Sequence, residues 1–252
     1  MPPQLQFNPT TNEPFLSVPI PSAPNGPDTT SHIIITPYRP DQDVEPILTS
    51  LNDPIIYKWL RTPPVPYTRE HAEEWIRLCK GSSDKLIPEI EEWQRGERKW
   101  LSGCPVRAIR EVRQTKDGQV EEVLLGDVGI IRYAFDDTLD ESEREEMKRI
   151  NDEREVGDER TIWTLGDWLA STHHGKGIMS AVVRVIMDWA MANLNVHHMK
   201  VHASVGNIGS CRVFEKNGFT LTDTVHDAFT LPEIKGGGKA SFYTLRWARS
   251  TE

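Results

Sequence analysis

Hydrophobic positions along this chain follow two rhythms, every second residue or every third to fourth, and the changes of rhythm mark out its elements. The β-branched run His32–Thr36 reads as a strand closed by Pro37 and Pro40. "DQDVEPILTSLNDPIIYKWL" carries a short helical stretch broken at Pro54, and "TPPVPYT" a proline-stiffened loop. Thr68 caps a helix over "REHAEEWIRLCK", where Ala72, Trp75, Ile76 and Cys79 share one face. A further turn or two in "DKLIPEIEEWQRGERKW" leads to a strand at "CPVRAIREV". "KDG", Lys116–Gly118, then turns the chain into a long strand, "VEEVLLGDVGIIRYAF".

The C-terminal half repeats strand and helix. "TIWTLGDWLA" is a strand, and "GKGIMSAVVRVIMDWAMANLN" a helix with an apolar stripe of Ile178, Ala181, Val182, Val185, Ile186 and Trp189. "HHMKVHASV" is a strand, "NIGSCRVFEKNG" a short helix stopped by Gly218, and "FTLTDTVHDAF" a strand. The glycines 236–238 turn it into a last strand, "ASFYTLRWA". This order predicts one α/β domain with a mixed sheet. Two segments stand outside the pattern. Residues 1–31 are rich in Pro, Asn, Thr and Ser, with little to bury, and read as an extended or disordered arm. The dense charges of Asp136–Arg160 read either as a solvated helical excursion or as a lid facing substrate.

Composition narrows the classes. A formal charge of -9 over 252 residues argues against a nucleic-acid binder. Three cysteines, far apart and forming no CxxC pair, argue against a disulfide framework or zinc knuckle and for a reducing compartment. No apolar run approaches a membrane span, and the first residues lack a signal peptide's basic start and apolar core, so a cytoplasmic protein is expected.

The chemistry concentrates at "ASTHHGKGIMSAVV", where Gly175 and Gly177 flank Lys176 between a strand and a helix. A helix start leaves backbone N–H groups unpaired, and glycines let an anion approach them. The spacing matches neither a P-loop nor a dinucleotide fingerprint. Five of the eight histidines (His173, His174, His197, His198 and His202) raise a metal site as a rival, which would make the chain a metal-dependent hydrolase. Adjacent strand histidines face opposite ways, however, and no HxxxH or HxH with a carboxylate partner occurs, so no metal is expected.

"LGDWLASTHHGKGIMSAVV", followed by "VHASVGNIGSCRVFEKNGF", resembles the paired core motifs of the GNAT N-acetyltransferase superfamily, and particularly the RimJ/RimL branch. The signature [Q/R]-x-x-G-x-[G/A] falls on His174, Gly175, Lys176, Gly177, Ile178 and Met179, with departures at His174 and Met179. N-x-x-S-x-x-(apolar)-E-K-x-G-F matches from Asn207 through Ser210, Glu215 and Lys216 to Gly218 and Phe219. "ITPYRPDQDVEPI" and "PYTREHAEEWI" resemble the branch's opening, so the likeness spans about 32–247.

The resemblance implies a single GNAT domain over 32–252, its mixed, mostly antiparallel sheet flanked by helices. It implies acetyl transfer from acetyl-coenzyme A to a primary amine, on a small molecule or a protein N-terminus, by a monomer or homodimer. The pyrophosphate would lie on the backbone of Gly175–Met179, and Trp168, Leu169 and Ala170 would lend backbone groups to the pantetheine arm and thioester. Asn207 would contact the coenzyme, and Ser210 the coenzyme and its leaving sulfur, since Phe214 replaces the tyrosine many relatives use. Two side chains qualify as general base: His202, where some members have a glutamate, and Asp167, within "TLGDWLA". A coenzyme-binding module without turnover is the alternative that the departures at His174 and Phe214 leave open.

Overall fold

The computed structural model describes residues 2–20, 32–115 and 117–250. Strands β1 (Gln6–Phe7), β2 (Pro14–Val18), β3 (His32–Thr36), β4 (Ala108–Gln114) and β5 (Val120–Arg132) precede β6 (Ile162–Leu169), β7 (His198–Ser204), β8 (Thr220–Thr230) and β9 (Lys239–Ala248). Helices α1 (Pro40–Leu51), α2 (Pro54–Tyr57), α3 (Arg69–Asp84) and α4 (Ile87–Gln94) fall between β3 and β4. α5 (Glu141–Asp152) precedes β6, while α6 (Ile178–Asn193) and α7 (Ile208–Glu215) flank β7. The strands form one sheet in the order β1-β2-β3-β4-β5-β6-β7-β9-β8. Every neighbouring pair is antiparallel except β6–β7. This is the mixed, mostly antiparallel sheet expected of the sequence.

Strand alternation divides the core between two faces. Ala108 and Leu124 join Ile47, Leu51, Ala72, Ile76 and Cys79 of α1 and α3 in one cluster. Their neighbours Ile109 and Leu125 join Val182, Ile186 and Trp189 of α6 in the other. Trp75, assigned by spacing to the α3 core stripe, instead stays 37 % exposed, with the Arg107 guanidinium 4.7 Å from its ring. Arg107 is drawn there by Asp127, which takes both its Nε and Nη2 at 2.9 Å and also accepts from the Tyr38 hydroxyl at 2.5 Å. A second buried pair fastens α1 to the sheet: Arg110 grips both oxygens of Asp43 at 2.8 Å and donates to Thr36 Oγ1.

The N-terminal segment has more to bury than its composition suggests. β2 pairs with β3, Leu16 opposite Ile35, and Leu5, Leu16 and Val18 enter the core cluster beneath α6. Ordered structure therefore begins before His32; residues 21–31 of the expected arm lie outside the described residues. The alternation in "FLSV" is short, and the surrounding prolines and asparagines masked it. Leu16, fully buried, should cost about 2–5 kcal/mol when cut to Ala, read as a lower denaturant midpoint. An unchanged midpoint would mean that β2 contributes nothing to the folded state.

The charged segment 136–160 contains a real helix, α5, whose surface is mostly solvated. Its far end is pinned. The buried Asn151 side chain donates to the carbonyls of Tyr133 and Ile162 and accepts from the Ile162 N–H, bonding to β6 much as a strand residue would. Arg132 donates to the carbonyls of Asn151, Asp152 and Arg154. Gly157, at φ +84°, lies so close beneath the Trp100 ring that an added Cβ would collide with it.

Candidate active site

β6 and β7 pair only at Ile162–His198 and Trp163–Met199. Beyond that they part, although β6 stays paired to β5 through Leu169 and β7 to β9 through Ser204. The split leaves two strand edges, with their unpaired backbone groups, facing a cleft of about 830 Å³. Backbone groups so exposed require partners, from water or a ligand. The cleft opens at the carboxyl ends of two parallel strands, where ligands of α/β sheets commonly bind.

The glycine loop closes one end. After a 3-10 turn at Ser171–His173, Gly175 and Gly177 take φ of +74° and +77°, a region that favours glycine. A Cβ on either would meet nothing within 4 Å, so backbone conformation and open access set these positions. Gly177 stands at the N-cap of α6 with no side-chain cap, and the first helical N–H to find a backbone carbonyl there is that of Ala181. The N–H groups of the first turn are thus free for an anion. The side chain of Met179 is buried in the core, so its departure from a small residue does not obstruct the loop. The other departure, His174, ties the loop back to β6 through Nε2, 2.8 Å from the Leu169 carbonyl.

Asp167 and His202 line the middle of the cleft, one from each parting strand. Asp167 is half-buried and, among the described residues, its carboxyl has neither hydrogen bond nor ion pair. Burial, with a smaller contribution from Asp127, pushes it up to about 7. His202 is fully engaged. Tyr133 has one hydroxyl proton, and Asp137 Oδ1 takes it at 2.5 Å. The phenol oxygen then accepts from His202 Nε2–H at 2.7 Å, leaving Nδ1 to accept from Thr244 Oγ1 at 3.3 Å. Burial holds the imidazole down to about 4, keeping it neutral at physiological pH. Burial works to raise Asp137, but Lys200 and Tyr133 together hold its carboxyl below the ordinary value.

At the other wall Asn207 caps α7, its Oδ1 accepting the Ser210 N–H at 3.2 Å, and both side chains line the cleft. Phe214 is buried against Phe219 at 5.3 Å between centroids and does not line the cleft.

A family model for the acetyltransferase (GNAT) domain matches residues 32–220. The chain belongs to the GNAT acetyltransferase family. A probable N-acetyltransferase of Bacillus subtilis, YjcK, is 42 % identical over 55 residues, which are 22 % of this chain and 30 % of that protein. A GNAT-family acetyltransferase structure from Bacillus anthracis superposes with a TM-score of 0.54 at 12 % identity, covering 92 % of this chain and 98 % of that one. RimL, a ribosomal L7/L12 α-N-protein acetyltransferase solved with coenzyme A, gives 0.53 at 14 % identity, covering 92 % and 97 %.

Against this GNAT frame, the cleft brings together Asp167, Trp168, Leu169, His174, Gly175, Gly177, Ile178, Met179, His202, Asn207 and Ser210. Ala170 and Lys176 do not line it; Ala170 N–H is bonded to the Leu125 carbonyl, and Lys176 is exposed. The histidines do not converge. His173 faces Glu111 at 3.8 Å, His174 bonds a carbonyl and His197 bonds Asn195. Among the described residues no group of three or more His, Cys, Asp or Glu could hold a metal, which leaves the hydrolase alternative without a site. Sequence reading missed Tyr133, Asp137 and Arg61. Tyr133 precedes and Asp137 falls within a charge-dense segment with no motif, and Arg61 follows a four-residue helix; only the fold carries the first two to His202 and Arg61 to the cleft.

No helix among the described residues is long and apolar enough to cross a membrane.

Proposed function

We propose that this chain transfers acetyl from acetyl-coenzyme A to a primary amine, of a small molecule or a protein N-terminus, with Asp167 as the general base. One observation carries the reading: an unpaired carboxyl, raised to about 7, in the cleft between the parting strands. A base poised near the working pH is effective in proton transfer, and His202, neutral and bonded at both nitrogens, is left to shape the wall. The α6 N-terminus and its glycines suit the coenzyme's pyrophosphate, and the free edge of β6 suits the pantetheine arm and thioester.

The acceptor's ammonium gives its first proton to Asp167. The freed nitrogen lone pair attacks the thioester carbon, and backbone N–H groups on the free edge of β6 stabilise the oxyanion. As the C–S bond breaks, the second nitrogen proton passes to the departing sulfur by way of the Ser210 hydroxyl. The products are an amide, the coenzyme thiol and one proton, which Asp167 returns to water.

The test is stoichiometric. With acetyl-coenzyme A and a panel of amines, thiol release should match amide formation for at least one acceptor. Tight coenzyme binding with thiol release no faster than hydrolysis across the panel would make the chain a binding module.

A further inference from the structure

The cleft carries one acidic lining side chain, Asp167, and, histidines aside, three cationic ones, Arg61, Arg212 and Lys216. Arg212 and Lys216 belong to α7 and its C-cap, on the wall of Asn207 and Ser210. Arg61 stands elsewhere, on the segment after α2 beside Trp59 and Leu60. Its guanidinium carbon is 5.9 Å from the Phe229 ring, another lining residue, and its charge adds a little to the downward pull of burial on the His202 imidazole. It therefore belongs to the Phe229 and His202 side of the cleft.

Two features make Arg61 a reader rather than a structural tie. Nη2 bonds Asp136 Oδ2 at 2.5 Å, but both side chains are 38 % exposed, and among the described residues no other carboxylate meets the guanidinium. Such exposed pairs contribute little to stability and exchange readily. The backbone beneath it, by contrast, is fixed. Lys235, only 8 % exposed, donates from Nζ to the carbonyls of Leu60 at 2.6 Å and Pro63 at 2.7 Å, on either side of Arg61. The guanidinium fork is thus presented from a clamped loop, with most of its N–H groups uncommitted, a geometry suited to a carboxylate. Asp136 does not line the cleft, so an entering molecule meets the cation first.

We infer that Arg61 reads the acceptor, and that the acceptor is an amine that also carries a carboxylate. Its nitrogen goes to Asp167, and its carboxylate takes the place of Asp136 on Arg61. This rests on the reading of Asp167 as the base.

The experiment compares free amino acids with their C-terminal amides, and short peptides with Asp against Asn at the second residue. Wild type should favour the carboxylate-bearing member of at least one of these pairs about tenfold or more in kcat/KM, a modest value for a charge-assisted bidentate contact. The pair that discriminates identifies the source as a free amino acid or a peptide. Arg61→Met should collapse that preference towards unity, chiefly by raising KM for the carboxylate-bearing acceptor. Asp136→Asn should enlarge it by removing the competing carboxylate. Equal rates on all pairs in wild type, or a preference unchanged in Arg61→Met, overturn the inference while leaving Asp167 as base. Thiol release that no amine accelerates overturns both.

Discussion

Asp167→Asn should slow acetyl transfer by on the order of 100- to 10,000-fold, the usual worth of a general base, and leave coenzyme affinity nearly unchanged. The substitution keeps the shape of the side chain and removes only its ability to take a proton. A second consequence separates it from simple damage. The folded-state carboxyl titrates at about 7 because burial disfavours its charge, whereas in an unfolded chain an aspartate titrates near 4. Between those values the unfolded state has released a proton that the folded state keeps, so this group lowers stability as pH rises from about 4 to about 7. Asparagine carries no such penalty. At pH 8 the variant should therefore be more stable than wild type, by on the order of 1–3 kcal/mol. A variant both inactive and less stable would assign Asp167 a structural duty instead.

Gly177→Glu should raise the dissociation constant of coenzyme A by about 100-fold or more. Gly177 holds φ +77° at an uncapped helix start, so any side chain there is strained, and a carboxylate would occupy the N–H groups proposed to hold the phosphate. Gly177→Ala separates the two effects, since it brings the strain, about 1–2 kcal/mol, without the charge. Calorimetry should find binding largely lost in the glutamate variant and mostly kept in the alanine one. Wild-type affinity in Gly177→Glu would move the anion site away from α6.

The motif-bearing half of the molecule was legible because its constraints are local. Gly175 and Gly177 mark an open helix start that an anion can approach, and the spacing of Val182, Ile186 and Trp189 a helix with one apolar face; the structure bears out both. The remainder depends on contacts distant in sequence. Nothing near His202 reveals that Tyr133 and Thr244 will occupy both of its nitrogens, since those residues lie 69 and 42 positions away. Spacing placed Trp75 in the core, but a cation supplied from another loop holds it at the surface. β2 escaped notice because four or five alternating residues carry little signal until β3 lies beside them. Arg61 and Asp136 were invisible as a pair for the same reason, being 75 residues apart.

The dependence of kcat/KM on pH tests the central claim most directly. If Asp167 takes the proton of an ammonium, the reactive pair is ionised Asp167 with the charged amine. The profile should then rise tenfold per pH unit to a break near 7 and fall again only near the acceptor's own pKa, about 10 for an alkylamine. Asp167→Asn should lack the break near 7. A wild-type profile that climbs without a break until the amine itself is deprotonated, and that the asparagine variant reproduces, would contradict the assignment of Asp167 as the base.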